Sequence, residues 1–233
     1  MPVINKTQIN STSDVTTTTT LLHEVIPITG SIISGTYGTF PDEENIKNYT
    51  HGMFQSVYDY PFLSSSANHI FDLTVGYDET SGYNNPGAVQ NNKKQNLYNQ
   101  FAQLLLGYTS STGDSIRKFE NDLSLDGVGT MNEVFFITLS RLLTKDQIKR
   151  NSVSLAFGTG SWANPFSNVK TLTDASASYG SDGGVAPSVG GDYGVLYDEA
   201  NAKHGVVFYQ AGIAVVSASV FSGVSDFYDD GVT

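Results

Sequence analysis

YGVLYDEANAKHGVVFYQAGIAVVSASVF, residues 193–221, sets two apolar, β-branched and aromatic runs, GVLYDE and GVVFYQAGIAVVSASVF, on either side of the short polar turn ANAKH. Runs of that kind joined by a short polar stretch specify a β-hairpin. The second run, residues 206–221, is longer than an ordinary strand of about 3–10 residues. Ala211-Gly212 in its middle offers a small-residue break, so the stretch is expected to form a three-stranded meander. In the last strand Ile213, Val215, Ser217, Ser219 and Phe221 face one way and Ala214, Val216, Ala218 and Val220 the other. Both sets are small or apolar, which places this strand inside the fold.

Moving outward, residues 69–77 alternate, with Phe71, Leu73, Val75 and Tyr77 opposed to Ile70, Asp72, Thr74 and Gly76, as in a half-buried strand. NEVFFITLSRLL is a nearly continuous apolar strand with Phe135, Ile137 and Leu139 opposed to Val134 and Phe136. Val153, Leu155 and Phe157 mark another strand over residues 152–157, and residues 169–173 a further one. The period changes in KKQNLYNQFAQLLLG, where Leu97, Phe101, Leu104 and Leu105 fall at i, i+4, i+7 and i+8. That spacing predicts an amphipathic helix over residues 94–106, with Gly107 as its C-cap. Thr144 and Gln147 match a capping box and predict a short helix over residues 144–150. Residues 21–40 read as short strands broken at Gly30, Gly35 and Gly38, and residues 175–192 as a Gly- and Ser-rich loop. The aromatic stretch holding Tyr49, Phe54, Tyr58, Tyr60 and Phe62 has no decisive period.

The fold class expected is mainly β, or β-rich α+β: an antiparallel sheet or sandwich with one amphipathic and one short helix packed on it. The organisation expected is a Thr-rich arm over residues 1–20, one β-rich domain over 21–222 and an acidic tail over 223–233. Two hundred and thirty-three residues can bury roughly 70–75% of the unfolded surface.

Twelve Lys and Arg against 23 Asp and Glu give a net charge of −11. Such a charge opposes binding to nucleic acid and to an anionic membrane. No run of about 18 apolar residues is present, and MPVINKTQINSTSD lacks the layout of a signal peptide. Zero cysteines exclude disulfides and thiolate metal sites, in keeping with synthesis in a reducing cytoplasm. The Asn-X-Ser/Thr triplets at Asn5, Asn10 and Asn48 therefore read as chance.

Four motifs bear on chemistry. Gly113-Asp114-Ser115 copies the start of a serine-hydrolase signature, but it follows a polar stretch, and His204 lacks an Asp three residues before it. Asp122, Ser124 and Asp126, then Gly127 and, at the twelfth place, Glu133, match the spacing of a calcium loop. Calcium is the one cofactor the sequence raises. Gly129 stands where an apolar residue belongs, however, and Glu133 opens a strand instead of a helix. A solvated acidic turn is the plainer reading. Gly158-Thr159-Gly160-Ser161 lacks the Lys of a phosphate cradle, and His23, His51, His69 and His204 lack zinc spacing. Trp162, with Pro165 and Phe166, forms a candidate partner contact.

HEVIPITGSIISGTYG, YTHGMFQSVYDYPFLSSSANHIFDLTVGY, LYNQFAQLLLG, NEVFFITLSRLLTKDQIKR and GVLYDEANAKHGVVFYQAGIAVVSASVF together resemble virion structural proteins of large contractile-tailed bacteriophages, especially those of marine cyanobacteria. The likeness spans residues 21–222. It implies a non-enzymatic building block of the tail or baseplate, made in the host cytoplasm, residing in the virion and contacting other virion proteins as a homo- or hetero-oligomer. It carries over no active-site residue. A capsid decoration protein and a carbohydrate-binding tail-fibre module, for which Tyr58, Asp59 and Tyr60 are the hint, are the alternatives.

Overall fold

The computed structural model describes residues 44–82, 89–107, 116–124, 126–159, 168–174 and 188–221. The Thr-rich arm, the glycine-broken stretch over 21–40, Ser115, Trp162, Pro165, Phe166 and the acidic tail lie outside them. The protein is mainly β: the described residues form one nine-stranded antiparallel sheet, one long helix and two single-turn helices.

The strands are β1 Ile46–Asn48, β2 Gln55–Tyr58, β3 His69–Tyr77, β4 Glu133–Leu139, β5 Ser154–Thr159, β6 Asn168–Thr173, β7 Tyr193–Tyr197, β8 Lys203–Phe208 and β9 Ile213–Ser217. In space they run β1-β2-β3-β4-β9-β8-β7-β6-β5. The expected meander is β7-β8-β9, paired Val195 to Val206 and Val206 to Val215. Gly212 makes the β8–β9 turn at φ +71, a region that favours glycine. The last strand ends at Ser217 rather than Phe221, because residues 218–221 wind into a 3-10 turn that returns Val220 to the core. β9 pairs with β4, and β4 with β3.

Pairing fixes which side chains share a face. Val134, Phe136, Val206, Phe208, Ile213 and Val215 lie on one face, under helix α1, Val89–Leu106, and under residues 116–131. The Phe101 ring stacks on Phe136 with centroids 4.1 Å apart. The helix begins at Val89, five residues before the expected start, and it crosses the polar side of β3. Gly76 makes this possible, since a Cβ there would stand 2.7 Å from the Phe136 ring and 3.2 Å from Tyr98. Lys94 reaches over the same strand to the carbonyl of Met53 at 3.1 Å and the hydroxyl of Thr74 at 3.4 Å, and burial lowers its pKa.

The opposite face carries Ile137, Leu196, Val207, Ala214 and Val216, with Leu155, Phe157 and Leu172 packed against them. The sheet curls to bring those partners in. Phe135 of β4 and Phe157 of β5 both meet Phe221 edge-on, at 5.4 and 5.5 Å, whereas five strand spacings in a flat sheet would set them about 24 Å apart. β6 meets β7 through the single pair Thr173–Tyr197.

Short helix α2 spans Arg141–Thr144, not residues 144–150. The capping box is not made: Thr144 closes the helix, with its hydroxyl on Ser140 O at 3.3 Å, and Lys145 then turns to φ 49. β5 likewise starts at Ser154, two residues later than expected. Asn151, at φ 56, and Val153 give their amides to Asp174 instead of to a neighbouring strand.

Candidate functional site

The calcium-like spacing runs over residues 122–133, and the turn it opens folds around a different acid. The buried Glu120 accepts the Gly127 amide at 2.9 Å and the Ser124 hydroxyl at 3.3 Å. Backbone bonds from Asn121 to Gly129 and from Met131 to Phe119 close the turn above it. Asp122 bonds the Ser124 amide at 3.0 Å and Lys203 Nζ at 2.9 Å. Burial pushes the Asp122 carboxyl up, but those bonds outweigh it and hold it below its ordinary range. Asp126 turns back to the Val128 amide at 2.8 Å, and Glu133, on β4, takes the Ser81 hydroxyl. Asp122, Ser124, Asp126 and Glu133 thus each have a protein partner and do not converge. Among the described residues no group of three or more His, Cys, Asp or Glu could hold a metal ion.

A second polar cluster sits at the β7–β8 turn. Asp198 Oδ1 accepts the amides of Ala200 at 3.0 Å and Ala202 at 2.8 Å, while Oδ2 faces His204 Nε2 at 3.0 Å and Lys170 Nζ at 3.6 Å. Burial raises this carboxyl; the amide bonds and His204 more than offset it, so its pKa is lowered. The sequence offers Asp198 as a plain turn residue, six positions before His204, so the pair is not legible from spacing. A carboxylate-oriented imidazole supplies two of the three members of a hydrolytic triad. Here Nδ1, the ring's other nitrogen, is buried with no hydrogen bond among the described residues, and the pair locks the turn to β6.

Asp174, fully buried, is a third knot. It accepts the amides of Asn151 at 2.8 Å and Val153 at 2.9 Å and the Tyr209 hydroxyl at 2.8 Å. Burial and this carboxylate raise the Tyr209 pKa. The knot ties the loop before β5 to the end of β8.

The accessible chemistry lies at the β1–β2 end. Tyr49 stacks on His51 with centroids 5.1 Å apart, Phe54 leans on both, and Lys47 Nζ stands 5.0 Å from the Tyr49 centroid. Phe54 is 37% exposed, Tyr60 52% and Leu63 88%. Of the residues that hinted at a glycan site, Tyr58 packs on Phe62 and His69, Asp59 is taken by the Asn68 amide and side chain, and Tyr60 alone projects. Neither a family model nor a curated protein nor a solved structure matches this chain. No described helix is long and apolar enough to cross a membrane.

Proposed function

We propose that this protein is a non-enzymatic structural subunit of a bacteriophage virion that acts through protein–protein contacts, in the tail or baseplate as its sequence resemblance implies. The observation that carries the reading is the surface beside β1 and β2, where Phe54 in the β1–β2 turn and Tyr60 and Leu63 in the β2–β3 turn project, the latter turn tied by the Phe62 amide on the Glu44 carbonyl and the Asp59 amide on the Asn68 carbonyl. Exposed aromatic and aliphatic side chains held on a rigid element are what a specific interface uses as anchors. The net charge of −11 supports it further, because it keeps free subunits apart and leaves association to such patches.

The test is mass spectrometry of fractionated, purified particles of the phage that encodes it, with complementation by the double variant Tyr60→Ser, Leu63→Ser. The wild-type chain is expected in the tail fraction, and the variant is expected to melt normally yet be depleted from particles. Absence of the wild-type chain from particles would overturn the assignment; copy number matching the shell would favour a capsid decoration protein. A glycan-binding tail-fibre module draws on the Tyr49, His51 and Phe54 rings, and saturable glycan binding lost in Tyr49→Ala would favour it.

A further inference from the structure

Charge is placed unevenly along the central strands. Residues 141–150, RLLTKDQIKR, follow β4 at the end of the sheet that also holds the β8–β9 turn, where the Leu139 amide meets the Gly212 carbonyl at 2.8 Å. They set Arg141, Lys145, Lys149 and Arg150 against the single acid Asp146, so they carry +3 in a chain of net −11. Arg150 pairs with Asp192, and Arg141 donates Nη1 to the Gln210 carbonyl at 2.7 Å. Lys145 and Lys149 are exposed and enter none of the ion pairs among the described residues. Leu142 on the same segment is 86% exposed.

The far end of the same strands is acidic. There β4 begins at Glu133 and the β7–β8 turn carries Asp198 and Glu199. The turn over residues 120–130, closed by the Glu120–Thr130 bridge, lies beside it and is tied to it by Asp122 on Lys203 at 2.9 Å. Lys118, Lys170 and Lys203 at this end each face an acid, Asp78, Asp198 and Asp122. Asp126 and Glu199 are exposed and enter none of the ion pairs among the described residues. Val128, two residues from Asp126, is 70% exposed. Each end thus presents an exposed aliphatic side chain and two charges outside any ion pair, of opposite sign at the two ends. The length of β4, Glu133–Leu139, keeps them about 20 Å apart in one molecule. Charges act over about 8 Å at physiological salt, so the complement of each patch is on another molecule.

We propose that the basic segment of one copy docks on the acidic end of a second copy, Leu142 against Val128, with Lys145 and Lys149 facing Asp126 and Glu199. The contact is head-to-tail, so it repeats from copy to copy and builds a ring if the rotation closes or a filament if it does not. Exposed ion pairs contribute little each, so the charges set the orientation and the aliphatic pair supplies the burial. Chains of like net charge also repel as wholes. Assembly is therefore weak at about 0.01 M salt, where that repulsion reaches about 30 Å, strongest near about 0.15 M, and weak again at about 1 M, where the contact pairs too are screened. This contact rests on the protein-contact reading given above and names one partner for it. Its test uses the purified chain alone, so its failure and the failure of the virion assignment are separate results.

Sedimentation velocity of the full chain over a concentration series tests it. The parent is expected to pass from monomers through dimers to trimers and larger species, most of all near about 0.15 M salt. Lys145→Gln with Lys149→Gln should remove every species above the monomer. Asp126→Asn with Glu199→Gln should do the same, and the new side-chain oxygens can still accept the Val128 and Thr171 amides, so melting should not change. An equimolar mixture of the two variants retains one intact pair of ends, so dimers of one variant with the other should return and nothing larger. Leu142→Ser, which leaves every charge in place, should weaken assembly by about tenfold. A parent that stays monomeric up to its solubility limit or stops at dimers, a mixture that stays monomeric, or a Leu142→Ser chain that assembles like the parent overturns the proposal.

Discussion

On one face of the sheet, α1 and residues 116–131 lie over Val134, Phe136, Val206 and Val215; on the other, the sheet bends until β5 and β6 arrive over Ile137, Val207 and Val216. The first closure stacks one layer on another through a long helix. The second uses the sheet's own last hairpin, joined by one residue pair and pinned by Phe221 between Phe135 and Phe157. The contrast teaches that two buried interiors can differ in what secures them, a covering helix on one side and, on the other, a returned hairpin held by packing, by Phe221 and by the polar knots at Asp174 and Asp198.

Removing the centre of the packed face should have the largest effect. Phe136→Ala is expected to lower stability by about 3–5 kcal/mol in chemical denaturation, because the cavity would open beneath Phe101 and Phe119. A loss below about 1 kcal/mol would contradict close packing there. On the pinned face, Phe221→Ala should cost about 1–3 kcal/mol, from two edge-on aromatic contacts and their buried area. Its distinguishing mark is local: amide exchange should accelerate in β5 and β6 before it does in β3 and β4. Uniform acceleration would mean that the hairpin does not open as a separate unit.

A smaller effect should come from Asp198, which holds the turn against β6. Its folded pKa is lowered, so it contributes stability above the unfolded carboxyl value of about 3.9, and that contribution is lost as pH falls through the folded value. Asp198→Asn should therefore flatten the acid limb of the melting temperature below about pH 4. An acid limb as steep as the parent's would remove this group from the balance. The smallest effect expected is none at all: calcium should leave the melting temperature unchanged, since Asp122 and Glu133 are already bound by Lys203 and Ser81. A rise that Asp126→Ala abolishes would reverse that.

Much of the scaffold was legible because period-2 patterns survive wherever one face is buried. β3 and β4 fall on residues 69–77 and 133–139 as read, and the break at Ala211-Gly212 is a real turn. The side of β3 that meets the helix was not legible. Asp72, Thr74 and Gly76 look solvent-facing, yet Gly76 is small so that Tyr98 and Phe136 can close over it. β1 and β2 hid in an aromatic stretch because their burial comes from neighbours across the sheet. The candidate site was less readable still. The acidic turn before β4 was visible, whereas Glu120 as its centre and Asp198 as the partner of His204 depend on chain reversals that spacing does not encode. The curl rests on Phe221 meeting residues far away in sequence, which no local pattern reports.

The three-residue strand β1, with Lys47 at its middle, bounds one side of the described sheet. Open sheet edges are where unrelated chains add strands and precipitate, and a short edge bearing a lysine discourages that by offering few hydrogen bonds and a charge to desolvate. This implies that exchanging Lys47 for a β-branched apolar residue could leave melting untouched while shortening the time to visible aggregation, a fault that folding assays on dilute samples would miss.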